Sequence, residues 1–198
     1  MVSLLLSFFL CAQIAQPAKP QVLLVFGDSL SAGLGLRASE SWPSLLQARI
    51  GESWKVVNAS VSGETTGGGL TRLPAALREQ RPSLVVIELG ANDGLRGLPL
   101  ESVEKNLAAM IELAEGSGAK VLLISMQLPP NFGEDYTAHF RALFPALAKR
   151  FHLPAPPFLL EGLQDRRDLF QADQMHPIAA AQPRLLGNVY PALALLAR

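Results

Sequence analysis

The stretch QVLLVFGDSLS, residues 21–31, changes character once, and that change organises the rest of the chain. Residues 21–26 form a continuous apolar run rich in leucine and valine, of the length expected for a strand buried on both faces. The run breaks into Gly27, Asp28 and Ser29. Glycine permits a tight turn there, so Ser29 arrives three residues after the strand, where a helix can begin. A serine in that position can be an ordinary turn residue or a nucleophile, and the choice depends on what the rest of the chain brings to it.

Working outward, similar runs recur at 54–58 (WKVVN), 84–89 (LVVIEL), 120–126 (KVLLISM) and, in short form, 158–160 (FLL). Segments of helical period separate them at 43–50, 66–80, 100–115 and 136–150, with a last one at 179–196. Pro74 is expected to kink the second of these helices, and Pro183, Gly187 and Pro191 to make the last irregular. The alternation predicts an α/β fold, a three-layer αβα sandwich around a five-stranded parallel, flavodoxin-like sheet. There is no repeat, low-complexity tract or linker after Pro20, so residues 19–198 are expected to form one domain.

Composition narrows the function classes. The chain has 198 residues, 49% of them hydrophobic and 17% charged, which excludes disorder. Seventeen Lys and Arg balance 17 Asp and Glu, and no basic block exceeds the pair Arg166 and Arg167, so no surface for nucleic acid or anionic lipid is expected. Residues 1–18 read as a signal peptide, because the apolar run 2–10 has the length of a secretory h-region and is too short to span a bilayer. The first charged residue is Lys19, so the segment lacks a basic n-region. Export to the periplasm or the medium follows from this reading, with no stable membrane anchor. Cys11, the one cysteine, falls inside the segment, which leaves the mature chain without disulfide or thiol chemistry.

In open parallel sheets, ligands bind beyond the carboxyl ends of the strands. There the chain places Gly27 to Leu30 (GDSL), Ser62 to Thr65 (SGET) and Gly90 to Asp93 (GAND), and Asp173 to His176 (DQMH) can return to the same edge. A reactive serine needs a base, and the base needs a group that orients it. Of three histidines only His176 has a carboxylate, Asp173, at a spacing that folds back onto Nδ1 within one turn. His139 and His152 lie in or just after an amphipathic helix and read as surface residues. Taken alone, the Asp173 and His176 pair is equally consistent with capping of the next helix. Asp28 and Asp93 suit bonds to backbone NH groups of their own loops. Thr66-Gly67-Gly68-Gly69 lacks the lysine and serine of a phosphate loop, and no metal-ligand spacing is present, so no metal or cofactor is expected.

The four blocks, in this order, resemble the SGNH hydrolases, also called GDSL esterases or lipases. Their hallmark residues fall on Ser29, Gly63, Asn92 and His176. The likeness is greatest to a bacterial thioesterase, arylesterase and lysophospholipase subgroup, through GDSLSAG (27–33), VNAS (57–60), RLP (72–74), ELG (88–90) and NDGLRG (92–97), and it extends from Gln21 to the C-terminus. Glu64 stands where the subgroup commonly has Asp, Ala91 where it has Gly, and Gln174-Met175 where Gly-Ile is usual. The resemblance implies acyl transfer, with Ser29 as nucleophile, His176 as base and Asp173 as its orienter. It also implies an oxyanion hole from the NH groups of Ser29 and Gly63 and the Asn92 amide, with Asp28 and Asp93 in support. A groove for the acyl chain is expected from Leu95, Leu98, Leu128, Pro129 and Phe132. The expected substrates are short to medium acyl or aryl esters, acyl thioesters and lysophospholipid, hydrolysed by a monomer. A carbohydrate acetyl esterase of the same fold, or a flavodoxin-like module that binds without turnover, are the competing readings.

Overall fold

In the computed structural model, which describes residues 19–198, four strands form one sheet. They are β1 (Gln21–Gly27), β2 (Trp54–Asn58), β3 (Leu84–Glu88) and β4 (Lys120–Leu123), in the order β2-β1-β3-β4, all parallel. The helices are α1 (Ser29–Ala32), α2 (Trp42–Ile50), α3 (Thr66–Gln80), α4 (Ala91–Leu95), α5 (Leu100–Gly116), α6 (Glu134–Arg150) and α7 (Gln182–Leu196). The signal-like segment 1–18 lies outside the described residues.

The sheet is central because its inner strands have no polar face. Leu84, Val85, Val86 and Ile87 of β3 are fully buried, as are Leu23, Leu24, Val25 and Phe26 of β1. Burying each such side chain contributes roughly 1.5–3 kcal/mol relative to leaving it exposed. Two helical groups cover these strands: α2 packs on α7, and α3 on α5, which in turn meets α6. Strand order puts β2 on one side of β1 and β3 on the other. Right-handed crossovers therefore place α2 and α3 on opposite faces and open a crevice beyond the carboxyl ends of β1 and β3.

The expected fifth strand does not form. Residues 158–160 contribute a single parallel bridge, Phe158 to Ser125, supported by the Ser125 NH on Pro157 O at 2.9 Å. Pro154, Pro156 and Pro157 have no N–H to donate, so a ladder cannot extend along this edge. The chain turns away instead, with Asn188 Nδ2 donating to Leu159 O and Glu161 O at 2.9 Å each. β4 likewise ends at Leu123 rather than Met126. α3 runs on through Pro74, and the last helix begins as a 3-10 turn at Ala179–Ala181 before α7.

Candidate active site

β1 delivers Ser29 through a turn that is fastened from several sides. Asp28 caps α1, its Oδ1 accepting the Leu30 NH at 3.0 Å, and Gly33 closes the helix in a left-handed conformation. A four-residue helix cannot stabilise itself, since helix nucleation is unfavourable. Buried Ser31 anchors it: its Oγ donates to Glu88 Oε2 at 2.6 Å, and its carbonyl accepts Asn58 Nδ2 at 2.7 Å. Gly27 is required for space rather than for a special backbone angle. A Cβ there would collide with Glu88 Oε2 and come within 2.9 Å of Glu88 O and Ser31 Oγ, whereas its φ is not positive.

Ser29 Oγ lies 2.8 Å from His176 Nε2, and His176 Nδ1 lies 2.6 Å from Asp173 Oδ2. The other carboxylate oxygen of Asp173 accepts the NH groups of Met175 and His176 at 2.9 and 3.0 Å. A hairpin-like closure presents this loop, with the Gln171 NH on His176 O at 2.8 Å and an antiparallel bridge between Phe170 and Pro177. Gln171 Nε2 donates to Leu34 O at 2.7 Å, tying the loop to the segment just after the Ser29 helix. Gln174 sits in this loop at φ 57°, a left-handed conformation unfavourable for a side chain with a Cβ. His139 and His152 stand apart from the site, the first with Nδ1 2.7 Å from Asp135 O on α6.

Gly63 has φ 77°, the region that favours glycine, and its carbonyl accepts Arg96 Nη2 at 3.0 Å. The NH groups of Gly63 and Ser29 have no acceptor among the described residues, and both residues line the same cavity. The loop bearing Gly63 is held by Arg72, which donates to Glu64 Oε2 at 2.6 Å and to Ala59 O at 3.1 Å. Asp93 does not order its own loop as expected. It reaches across to the start of α3, accepting Thr66 NH at 2.9 Å and Thr66 Oγ1 at 2.6 Å, which locks the second and third blocks together. Asn92 Nδ2 donates to Asp28 Oδ2 and to Glu64 O, both at 3.0 Å.

Beside Ser29 opens a cavity of about 380 Å³. Leu95, Leu128 and Pro129 line it as the sequence suggested, but Leu98 and Phe132 do not. Leu98 is exposed, with its carbonyl accepting Tyr136 Oη at 3.1 Å, and half-buried Phe132 belongs to a short 3-10 turn, Pro130–Phe132, that follows Pro129 in the chain. Much of the apolar wall comes instead from Leu30, Leu34, Met126, Phe158, Leu160, Phe170 and Met175.

A sequence profile of the GDSL-like Lipase/Acylhydrolase family matches residues 25–182, a span that holds all four blocks and every residue of the Ser29, His176 and Asp173 constellation. The chain belongs to this family. Two relatives carry names consistent with it. Esterase TesA of Pseudomonas aeruginosa is 51% identical over 183 residues, 91% of each chain. Thioesterase 1/protease 1/lysophospholipase L1 of Escherichia coli K12 is 41% identical over 175 residues, covering 88% of this chain and 84% of that one. The crystal structure of TesA superposes with a TM-score of 0.84 at 50% identity, covering 89% of this chain and 99% of that chain.

The electrostatics of this GDSL hydrolase separate its carboxyl groups. The NH and ring of His176, together with the Met175 NH, hold the Asp173 carboxyl down at about 2, so it is ionised at neutral pH. Burial pushes Asp28 up to about 6, and burial together with the Asp28 charge pushes Glu88 well above the usual carboxylate range. Glu88 had escaped the sequence reading. Its signal was a charged residue inside the otherwise apolar LVVIEL run. The cavity wall had no comparable signal, because Phe158, Leu160 and Phe170 reach the site only through the C-terminal path of the chain. Among the described residues no group of His, Cys, Asp and Glu could hold a metal ion, and no helix is long and apolar enough to cross a membrane.

Proposed function

We propose that this hydrolase cleaves carboxylic esters and thioesters of short to medium acyl chains through an acyl-enzyme on Ser29. The observation that carries the reading is the chain of contacts from Ser29 Oγ to His176 Nε2 at 2.8 Å and from His176 Nδ1 to Asp173 at 2.6 Å. His176 takes the Ser29 proton as the oxygen attacks the carbonyl carbon. It returns that proton to the departing alkoxide or thiolate, and Asp173 offsets the transient imidazolium charge. Water, activated by the same imidazole, then releases the acid and frees Ser29. The unsatisfied NH groups of Ser29 and Gly63 receive the tetrahedral oxygen. Asn92 joins them by redirecting one hydrogen from Asp28 or Glu64 O toward the developing charge. Each such donor contributes ~2.7–4 kcal/mol of transition-state stabilisation.

The apolar wall and the size of the cavity favour an acyl chain over a sugar, and esters and thioesters are what the names of the two relatives imply for those proteins. Residues 19–198 act as one domain and one monomer, after export and removal of 1–18. Two measurements test the reading. A fluorophosphonate probe should label the wild type, not Ser29→Ala, and His176→Ala only weakly; a folded wild type that resists labelling would favour a binding module. Rates on p-nitrophenyl acetate, octanoate and palmitate, palmitoyl-CoA and acetylated xylan should peak at a medium chain, at or below about twelve carbons, since each buried methylene adds roughly 0.8 kcal/mol until the cavity is full. Equal rates on xylan acetate, with no gain from chain length, would refute the acyl preference.

A further inference from the structure

We propose that Glu88 is a positioning residue for the reaction: its carboxyl group, wedged beneath the nucleophile turn, fixes Ser29 through Ser31 and leaves Asp28 as the single anion of the pair facing His176. The inference rests on the function proposed above and assigns work to a group that this chemistry does not otherwise use. Glu88 closes β3 and pairs in register with Gly27 of β1. Its side chain is fully buried and enters the space left by the missing Cβ of Gly27. Oε2 receives two hydrogens from the turn that carries the nucleophile, Ser31 Oγ–H at 2.6 Å and Asp28 N–H at 3.3 Å, while Oε1 accepts from no donor.

The unpartnered oxygen decides the charge. A buried carboxylate needs a cation or a full set of donors, which Oε1 lacks, whereas a protonated Glu88 gives its hydrogen to the Asp28 carboxylate beside it. The titratable groups that face this pair are few: Asp28 from the nucleophile turn faces Glu88, and His176 from the C-terminal loop faces Asp28. The neighbours from β1, α1 and α4 are Gly27, Ser31 and Asn92, which are uncharged. Two adjacent carboxyls in such a place hold one proton between them over a wide range. The proton resides on Glu88, because Asp28 has the better acceptor environment, with the Leu30 NH on one oxygen and the Asn92 amide on the other. Ionised Asp28 then orients Asn92 and stabilises the imidazolium that forms at His176. Neutral Glu88 holds the turn without adding a second charge.

The readouts are infrared spectra and steady-state kinetics of Glu88→Gln, Glu88→Ala and Asp28→Asn. At about pH 8, where ordinary carboxyls are ionised, a protonated carboxyl C=O band should be present in the wild type and in Asp28→Asn and vanish in Glu88→Gln. Glu88→Ala, which orphans Ser31 Oγ, should lower kcat by about 10- to 100-fold with KM within about threefold, the split that marks a loss of transition-state geometry. Glu88→Gln, neutral and of the same shape, should recover at least about tenfold of that loss. A wild type without the band, a Gln variant as slow as Ala, or an Ala variant as fast as the wild type would overturn the proposal. If Glu88→Ala does not fold, the band and the rate of Glu88→Gln against the wild type decide alone. Fluorophosphonate labelling in parallel separates the outcomes: a wild type that labels yet lacks the infrared band refutes the role of Glu88, whereas a wild type that does not label refutes the acyl-enzyme.

Discussion

Gly27 and Glu88 stand opposite one another on β1 and β3, and the absence of a side chain at the first makes room for the carboxyl group of the second under the serine turn. The first letter of the GDSL block is therefore dictated by a residue 61 positions later, as 88 − 27 shows. Gly27→Ala should destabilise the fold by about 1–3 kcal/mol, because Glu88 and Ser31 must both shift. Urea unfolding measures this, and the same variant should lose activity even where it remains folded. A variant with wild-type stability and turnover would show that the pocket at Gly27 yields easily.

Asp173→Asn should leave the fold intact and lower kcat by about 10²- to 10⁴-fold. Two backbone NH groups at Asp173 Oδ1 fix which end of an amide would face them, so the new NH₂ would point at His176 Nδ1 and impose the wrong tautomer. Single-turnover acylation with an activated ester is the direct measurement.

Asp28 makes stability depend on pH in a definite direction. Its folded value is raised to about 6 from 3.8 by burial, so the folded chain holds this proton more tightly than the unfolded one. The contribution is complete below the unfolded value and lost as pH rises through about 6, amounting to about 1–3 kcal/mol. Asp28→Asn should flatten that decline in urea titrations across the interval, whatever constant offset the substitution adds. Asp173 has the opposite sign: held at about 2, its smaller contribution is present above the unfolded value and lost as acid takes the pH through about 2.

Gln174 occupies a left-handed conformation at φ 57°. Gln174→Gly should relieve that strain and stabilise the chain by about 0.5–1 kcal/mol, net of the freedom glycine gains when unfolded. Thermal unfolding gives the sign. A destabilised variant would mean that the Gln174 Nε2 bond to Gln171 O, at 3.1 Å, outweighs the backbone strain.

Much of this architecture is legible in the chain because it depends on local signals. Apolar runs marked the four strands to within a few residues, and helical period found α2, α3, α5, α6 and α7. The failures have two causes, local chemistry that overrides the apolar pattern and partners distant in sequence. The run 158–160 has the composition of a strand, yet three prolines beside it remove the donors that would join it to β4. Asp93 looks like a loop residue, but its partner is Thr66 on another helix. Leu98 and Phe132 are apolar and near the right strands, but neither lines the cavity.

The amino-acid order alone determined the kinds of elements, their succession and the polar blocks after each strand, since these follow from periodicity and turn chemistry that act over a few residues. Only the folded chain decided that an imidazole 147 residues from a serine lies within hydrogen-bonding distance of it, which side chains wall the cavity, and that a buried acid supports the turn between them. Those relationships arise where separate strands and loops converge, and packing between such segments leaves no pattern along the sequence.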